Sequence, residues 1–490
     1  MAAPAQVDVG GILRPQGRPD LTNALQPYAG ALGERAAAHL LRRAGFGGTP
    51  DDVHRYAAMS ARQAAASLLA LPSPDNVGPP RELENVAQPL SMATDPIQRA
   101  MLGQQATLRR ERFRQGQRIV EALQLWWLNR MLATSAPLQE KMTLYFHGHF
   151  TSRATPMFPW ITYNQNALFR RYALGNLREL TKSVSKDAAM LIYLNGAENV
   201  AAHPNENYAR ELMELFTLGV DNYSEADVRE SARAWTGWRV NRRADDVAFD
   251  PSLHDSGEKT FLGRTGNFGG DDIVDIIFTQ PQCARFFAAS LLSWFVYDDP
   301  EPELVERVAV LLRRHDFELS PVVGTILSSN LFYSPRAYRA LVKSPVEFVV
   351  GTYRTLGVPA LDESALPALA QMGQRLFFPP SVAGWPGGQN WLTSGTMIAR
   401  QNFLTRLLGS QTLASSSWLR SLPVAASGAT RMLGHVILQG DVAPAALAEL
   451  HGYLSGTGSA ALASLSAENY DERVSGAVYL AMATPAYQLN

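Results

Sequence analysis

The 490-residue sequence has almost no cysteine; Cys283 is the only one. A single thiol cannot close a disulfide within the chain, and it cannot build a metal site of the paired-cysteine type. It sits in the apolar run Cys283-Ala-Arg-Phe-Phe, where a thiol behaves as a small packing group. A surplus of either charge is also missing, with 44 basic against 45 acidic residues and a net of −1. Proteins that grip phosphates along a nucleic acid need a basic surplus, so the composition argues against that class. The one basic concentration, Arg109, Arg110, Arg112, Arg114 and Arg118, falls in a helical stretch and reads as a solvated face. No run of about 18 apolar residues occurs, so no helical membrane span is expected. The opening Met-Ala-Ala-Pro-Ala-Gln has neither a basic nor an apolar segment and does not read as a secretory signal. A glycine-rich phosphate loop, a serine nucleophile elbow and a metalloprotease histidine pair are absent too. So is a repeat of fixed period.

What is present is an ordinary globular balance, 46% hydrophobic and 18% charged, with enough apolar side chain for a large core. Residues 1–30, rich in Pro, Gly and Asn, read as an irregular leader. Helical patterns follow at Glu34–Arg43, Pro50–Met59, Ala61–Ala70 and Pro96–Leu132, with a polar connection at 71–95. Pro137 suits a first helical position, and Gly148 is expected to interrupt that helix. More helices are expected at 166–194, 205–218, 225–235, 271–296, 302–314, 319–330, 344–356, 363–376 and 393–408, then near 428–438, 443–453 and 466–484. Only 238–263 looks β, with Asp255-Ser256-Gly257 as a turn between its last two strands. The expected fold is mainly α, a large multi-helical single body with a small β-hairpin insertion at 238–263. The helical core would span 31–420, with C-terminal helices at 421–490 packed on it.

Four groups of residues could carry chemistry. His147-Gly148-His149 could chelate a divalent metal ion if the segment is extended or turned, with carboxylates completing the site. The structural alternative is a helix end whose histidines bond backbone carbonyls. Asn205 to Gly219 reads as one amphipathic helix, capped by Asn205 and ended by Gly219. Tyr208, Ala209, Leu212, Leu215 and Phe216 would form its apolar face. Glu211 and Glu214 are neighbours at a spacing of three, a pattern that suits metal ligation or an acid/base pair. Arg210 could hold substrate charge. A salt-bridged solvated face is the alternative. In His254-Asp255-Ser256-Gly257-Glu258-Lys259-Thr260, a carboxylate could orient a histidine as general base, with Lys259 beside it. The alternative is a turn whose groups satisfy one another. Trp238 and Trp391 lie beside glycines and could offer ring platforms to a ligand. Core packing is the alternative.

Long motifs in a fixed order resemble the bacterial DUF1800 family, a domain of unknown function. They are His39-Leu-Leu-Arg-Arg-Ala-Gly-Phe-Gly47, Pro137 to Phe150, Asp187-Ala-Ala-Met-Leu-Ile-Tyr-Leu194 and Asn205 to Gly219. Ala232-Arg-Ala-Trp-Thr-Gly-Trp238, His254 to Gly263, and Gly384-Trp-Pro-Gly-Gly388 before Trp391 continue the series. The match runs from about residue 35 to the end. One departure is Gly148, where members often carry Asn, which argues against a role for that side chain. The resemblance implies a shared fold and a shared site, but no known reaction. It also implies export, and a companion protein resembling phosphatases and sulfatases.

The best reading is an enzyme, hydrolytic on a sugar-, phosphate- or sulfate-containing substrate or polymer. His147, His149 and Glu214 would be metal ligands. Glu211, His254 and Asp255 would be catalytic, and Arg210, Lys259, Trp238 and Trp391 would bind substrate. One alternative is a redox metalloprotein using the same residues. Another is a non-catalytic partner or assembly factor for the companion protein, in which the polar motifs serve only to join helices.

Overall fold

The computed structural model describes residues 21–70, 78–84, 102–241, 246–409, 415–440, 443–456 and 470–490. The rest of the expected leader, the 71–95 connection apart from residues 78–84, which hold the short helix Arg81–Glu84, and the start of the 96–132 and 466–484 helices fall outside the described residues. The protein is mainly helical, at 62%, and among the described residues there are two small antiparallel two-stranded sheets. No described helix is long and apolar enough to cross a membrane. Proline opens many helices, among them Pro50–Ala57, Pro137–His149, Pro281–Phe295, Pro302–Arg314 and Pro345–Leu356. Its fixed φ and missing N–H cost nothing at that position.

Two long expected helices are in fact divided, and their caps explain why. The 166–194 stretch lies across Pro159–Arg171, Leu177–Ser185 and Ala188–Tyr193. Asn176 and Asp187 each accept hydrogen bonds from the following backbone N–H groups and restart the helix. The 271–296 stretch breaks at Gln280-Pro281 into Gly270–Thr279 and Pro281–Phe295. Residues 21–30 are irregular as expected, yet docked. Ala24 is buried, and the Tyr28 N–H donates to the Ser328 carbonyl.

The β region differs from the expected hairpin. Trp238–Asn241 pairs with Asp246–Phe249, and Lys259–Phe261 pairs with Arg264–Gly266. The second turn is at Leu262-Gly263, both with positive φ, a tight hairpin geometry that matches strand twist. Asp255-Ser256-Gly257 connects the two sheets and makes no hairpin.

Apolar side chains gather in two large clusters. One spans Ala24 to Ala337 and includes Leu40, Phe146, Phe216 and Phe287. The other joins the helix Leu102–Ala133 to residues beyond Val346, including Trp127, Phe348, Phe403, Leu433 and Val478. The helix Pro137–His149 lies between them. It gives Met142 and Phe146 to the first cluster and Leu144 to the second. Covered on all sides, it buries Glu140, Lys141 and His147 as well. Arg110, Arg112, Arg114 and Arg118 are exposed on Leu102–Ala133, the solvated face expected for the basic run, with Arg109 outside the described side chains. Cys283 is buried and free.

Candidate functional site

Gly148 does not interrupt its helix, which runs on to His149. Two positions apart on a helix, at about 100° per residue, side chains diverge. His147 turns toward Trp127, Phe377 and Trp385 in the second core. Its Nε2 accepts the Phe377 N–H at 3.0 Å. His149 stacks on Tyr145, and its Nε2 donates to the Phe216 carbonyl at 2.9 Å. Burial pushes His147 down to about 3 and His149 down to about 4, so both imidazoles are neutral at pH 7. The helical geometry removes the shared side that chelation needs. Each histidine spends a ring nitrogen on backbone. Among the described residues no group of three or more His, Cys, Asp or Glu is placed to hold a metal ion.

The carbonyl that His149 takes belongs to the 205–219 segment and bears on its winding. The segment is α-helical over Asn207–Glu211 and then π-helical over Leu212–Thr217. Single-turn π segments are rare and recur at functional sites. The Leu218 N–H reaches back to the Met213 carbonyl, and Thr217 Oγ1 donates to that of Leu212. The wider turn carries Met213 and Thr217 inward and leaves Leu215 half-buried, which alters the expected apolar face. Gly219, at φ +82°, ends it as expected.

The polar groups of this segment have unequal partners. Arg210 is held by Glu225 at 2.7 Å and Glu206 at 3.2 Å, so it joins helices. Tyr223 donates to Glu214 Oε2 at 2.8 Å. Glu211 is half-buried, and no hydrogen bond or ion pair engages its carboxyl among the described residues. Burial and the charge of Glu214 raise its pKa, with Arg210 opposing. Tyr193 lies within electrostatic reach of both Glu211 and Arg153. Arg153 is exposed, with its guanidinium 5.9 Å from the Phe378 ring and no ion pair to a described residue. Neither Arg153 nor Tyr193 stands out in the sequence, because each lies in a different segment from Glu211.

The His254–Thr260 motif organises a turn. Asp255 binds Arg233 at 2.7 Å rather than orienting His254, and Arg233 also takes Glu230 at 2.9 Å. Arg233 holds the Asp255 carboxyl below the usual range. Lys259, almost fully buried, donates to the Asp255 and Gly257 carbonyls at 2.6 and 2.8 Å. His254 Nδ1 donates to the Thr236 carbonyl at 2.9 Å. Gly237 sits at φ +94°, where a Cβ would come 2.9 Å from the Asp250 carbonyl, so the close approach requires glycine.

The 147–149 motif touches the 205–219 motif through His149, but the 205–219 and 254–260 motifs stand apart. Arg210 pairs with Glu225 at the start of the helix Glu225–Ala234, and Asp255 pairs with Arg233 near its end. Eight residues of helix separate those anchors by roughly 12 Å. The tryptophans are apart as well. Trp238 is half-buried, 5.4 Å from Phe249 and 5.8 Å from the Lys186 ammonium. Trp391 is buried with Val342, Leu392 and Leu489.

The sequence matches the family described as "Protein of unknown function (DUF1800)" over residues 39–489. The chain belongs to this family. No curated protein matches it, and no solved structure does.

Within this DUF1800 chain the remaining signature residues are interior ones. His39 bonds the Phe332 carbonyl at 3.0 Å and stacks on Tyr338 at 4.3 Å. Arg43 donates to the carbonyls of Phe295, Val296 and Ala337 and to the backbone oxygen of the last residue, Asn490. Glu140 is gripped by Arg170, Arg130 and the Trp127 Nε1–H. Gly384, at φ +78°, lets the 384–388 loop reach the Gly148 backbone, since a Cβ there would come 2.6 Å from that carbonyl.

Proposed function

We propose that this protein is a hydrolytic enzyme acting on a sugar-, phosphate- or sulfate-containing substrate, with Glu211 as its proton-transfer group. The observation that supports this reading is the state of Glu211. It is a half-buried carboxyl beside a second carboxylate, at the head of a π-helical segment, with no partner among the described residues. Its neighbours Glu206 and Glu214 are engaged by Arg210 and Tyr223. Burial and like charge both favour the protonated form, against the pull of Arg210, and a carboxyl shifted in that direction suits a general acid. In the reaction the leaving oxygen takes the Glu211 proton as its bond to the transferred group breaks. Water adds to that group and returns a proton to the carboxylate pair. Glu214, oriented by Tyr223, is the second member of that pair. Arg153 supplies positive charge for an anionic substrate, and Tyr193 is within electrostatic reach of both it and Glu211.

A second reading, a partner role beside a phosphatase- or sulfatase-like companion, draws support from Arg210 and Arg233, which are spent on joining helices. One assay separates the two. Nitrophenyl glycosides, phosphate and sulfate are offered to the wild type and to Glu211→Gln. The enzyme reading expects turnover of at least one, and a loss of about 100-fold or more in kcat in the variant. Equal rates in both proteins sink the assignment of Glu211. Absence of turnover in the wild type counts against hydrolysis of these three classes and favours the partner role.

A further inference from the structure

The buried His147 holds a distant turn in place. Its Nε2 accepts the Phe377 N–H at 3.0 Å, and the Phe377 carbonyl accepts the Ala154 N–H at 2.8 Å. The Leu376 carbonyl takes the Gln124 side-chain amide at 2.6 Å. Residues before and after the helix end at His149 thus grip the turn 375–378, in which the Phe378 N–H returns to the Arg375 carbonyl at 3.1 Å. Phe377 stands at φ +63°, a left-handed conformation that costs energy for any residue with a Cβ. Such strain persists only where the surroundings over-determine it, and it gathers at active sites and ligand clamps. Here His147 and Ala154 bond Phe377 from both of its backbone groups.

What the turn presents is positive charge. Arg375 and Arg153 are both exposed, and their guanidinium groups lie 4.0 and 5.9 Å from the centre of the same Phe378 ring. Arg153 is the residue before Ala154, so backbone hydrogen bonds fix the origins of the two side chains relative to each other. Neither guanidinium makes a hydrogen bond or an ion pair with a described residue. Arg210 and Arg233, by contrast, are each held by two carboxylates. The acids of this region are otherwise engaged. The cation that acts on Glu211 is Arg210, and Glu214 takes the Tyr223 hydroxyl. Two like charges held on one ring repel each other, and an anion between them relieves the repulsion. Tyr193, in electrostatic reach of both Arg153 and Glu211, sets the pair on the side of the proton-transfer group.

We propose that Arg153 and Arg375 clamp a tetrahedral oxyanion, and that the substrate is therefore a phosphate or sulfate ester rather than a neutral glycoside. The ester assignment rests on Glu211 as the proton-transfer group, whereas the clamp is independent of it. A guanidinium offers paired N–H groups to such oxygens, and charge-assisted bonds of this kind are the strong ones. Two of them on a preset backbone receive one anion with little further ordering. In the reaction the ester oxygen takes the Glu211 proton as its bond to phosphorus or sulfur breaks. Water adds to the phosphorus or sulfur and gives a proton back to the carboxylate pair. The alcohol departs, and the inorganic phosphate or sulfate is the product that the arginines hold.

The test is calorimetric titration of the full chain with inorganic phosphate, inorganic sulfate and chloride at equal ionic strength. Phosphate or sulfate should bind more tightly than chloride, and Arg375→Ala and Arg153→Ala should each weaken that binding about tenfold or more. Both side chains are exposed, so both variants should keep the wild-type Tm. The tighter-binding ion assigns the ester class. A wild type that binds phosphate and sulfate no better than chloride overturns the clamp. So does undiminished binding in either variant. Glu211→Gln separates the clamp from the proton-transfer group, since it should bind the anion as the wild type does. If Glu211→Gln turns over as fast as the wild type while anion binding depends on Arg375, the assignment of Glu211 falls and the clamp stands. If turnover of a nitrophenyl phosphate or sulfate needs Glu211, yet neither anion binding nor KM responds to Arg375→Ala, the clamp falls and Glu211 stands.

Discussion

Glu347 and Glu211 are both helix carboxylates, and their surroundings differ at every point. Glu347 is buried at the first turn of the helix Pro345–Leu356, where Ser344 and Glu347 cap each other. Burial alone would raise its pKa, but Lys141 outweighs that and holds the carboxyl ionised. Its carboxylate accepts from Lys141, the Ser344 N–H and the Asn490 side chain. Glu211 is half-exposed, lies beside another carboxylate, and bonds to nothing described. A carboxyl that contributes nothing to holding helices together has another reason to be there. A signature motif can therefore mix residues that build the scaffold with residues that the scaffold presents.

The comparison predicts graded costs. The largest is at Glu347. Replacing it with Gln leaves Lys141 buried without its counter-charge, and stability should fall by about 3–5 kcal/mol, read from the denaturant midpoint. A loss under about 1 kcal/mol would remove Glu347 from the structural side.

Acid should act through the interior histidines. In the native state burial depresses His147 to about 3 and His149 to about 4, below the ordinary 6.5. As pH falls below about 6.5 the unfolded chain takes up these protons first, so stability drops. The contribution of each histidine is up to about 1.4 kcal/mol per pH unit, until its native pKa is reached. Urea midpoints at pH 7 and pH 5 measure the slope, and His149→Gln should reduce it. An unchanged slope in that variant would mean that His149 is already charged in the native state.

A smaller effect is expected at Asp255. Asp255→Asn weakens the Arg233 pair but leaves Glu230 in place, so it should cost about 1–2 kcal/mol. The same variant should leave turnover of a hydrolysed substrate within about threefold of the wild type, an effect under 1.4 kcal/mol. A larger kinetic loss would return Asp255 to the chemistry.

Much of the fold was legible because helix punctuation is local. Pro137, Pro302 and Pro345 at first positions, and apolar spacing such as that of Val305, Val308 and Leu312, need no tertiary information. What local pattern could not show was how distant segments share hydrogen bonds. The π segment at Leu212–Thr217 meets His149 from a helix more than sixty residues earlier, and the periodicity of an ordinary helix misplaces Met213, Leu215 and Thr217. The hairpin was mispaired because Asp255-Ser256-Gly257 has turn chemistry, whereas the true turn places Leu262 at positive φ. The candidate site was half legible. Spacing singled out Glu211 and Glu214, but Arg153, Tyr193 and Tyr223 reach them only through the fold. The buried cations were not legible at all, since Arg42, Lys343 and Arg400 are residue types ordinarily found at the surface.

The most direct test of the contrast is side-by-side chemical denaturation of Glu211→Gln and Glu347→Gln at pH 7. Glu211→Gln should match the wild type within about 0.5 kcal/mol or exceed it, because no described group hydrogen-bonds or ion-pairs with the carboxyl that it replaces. Glu347→Gln should lose several times that amount. A Glu211→Gln protein destabilised as severely as Glu347→Gln would show that the carboxyl holds the fold together, and the proposed proton-transfer site would have to be abandoned.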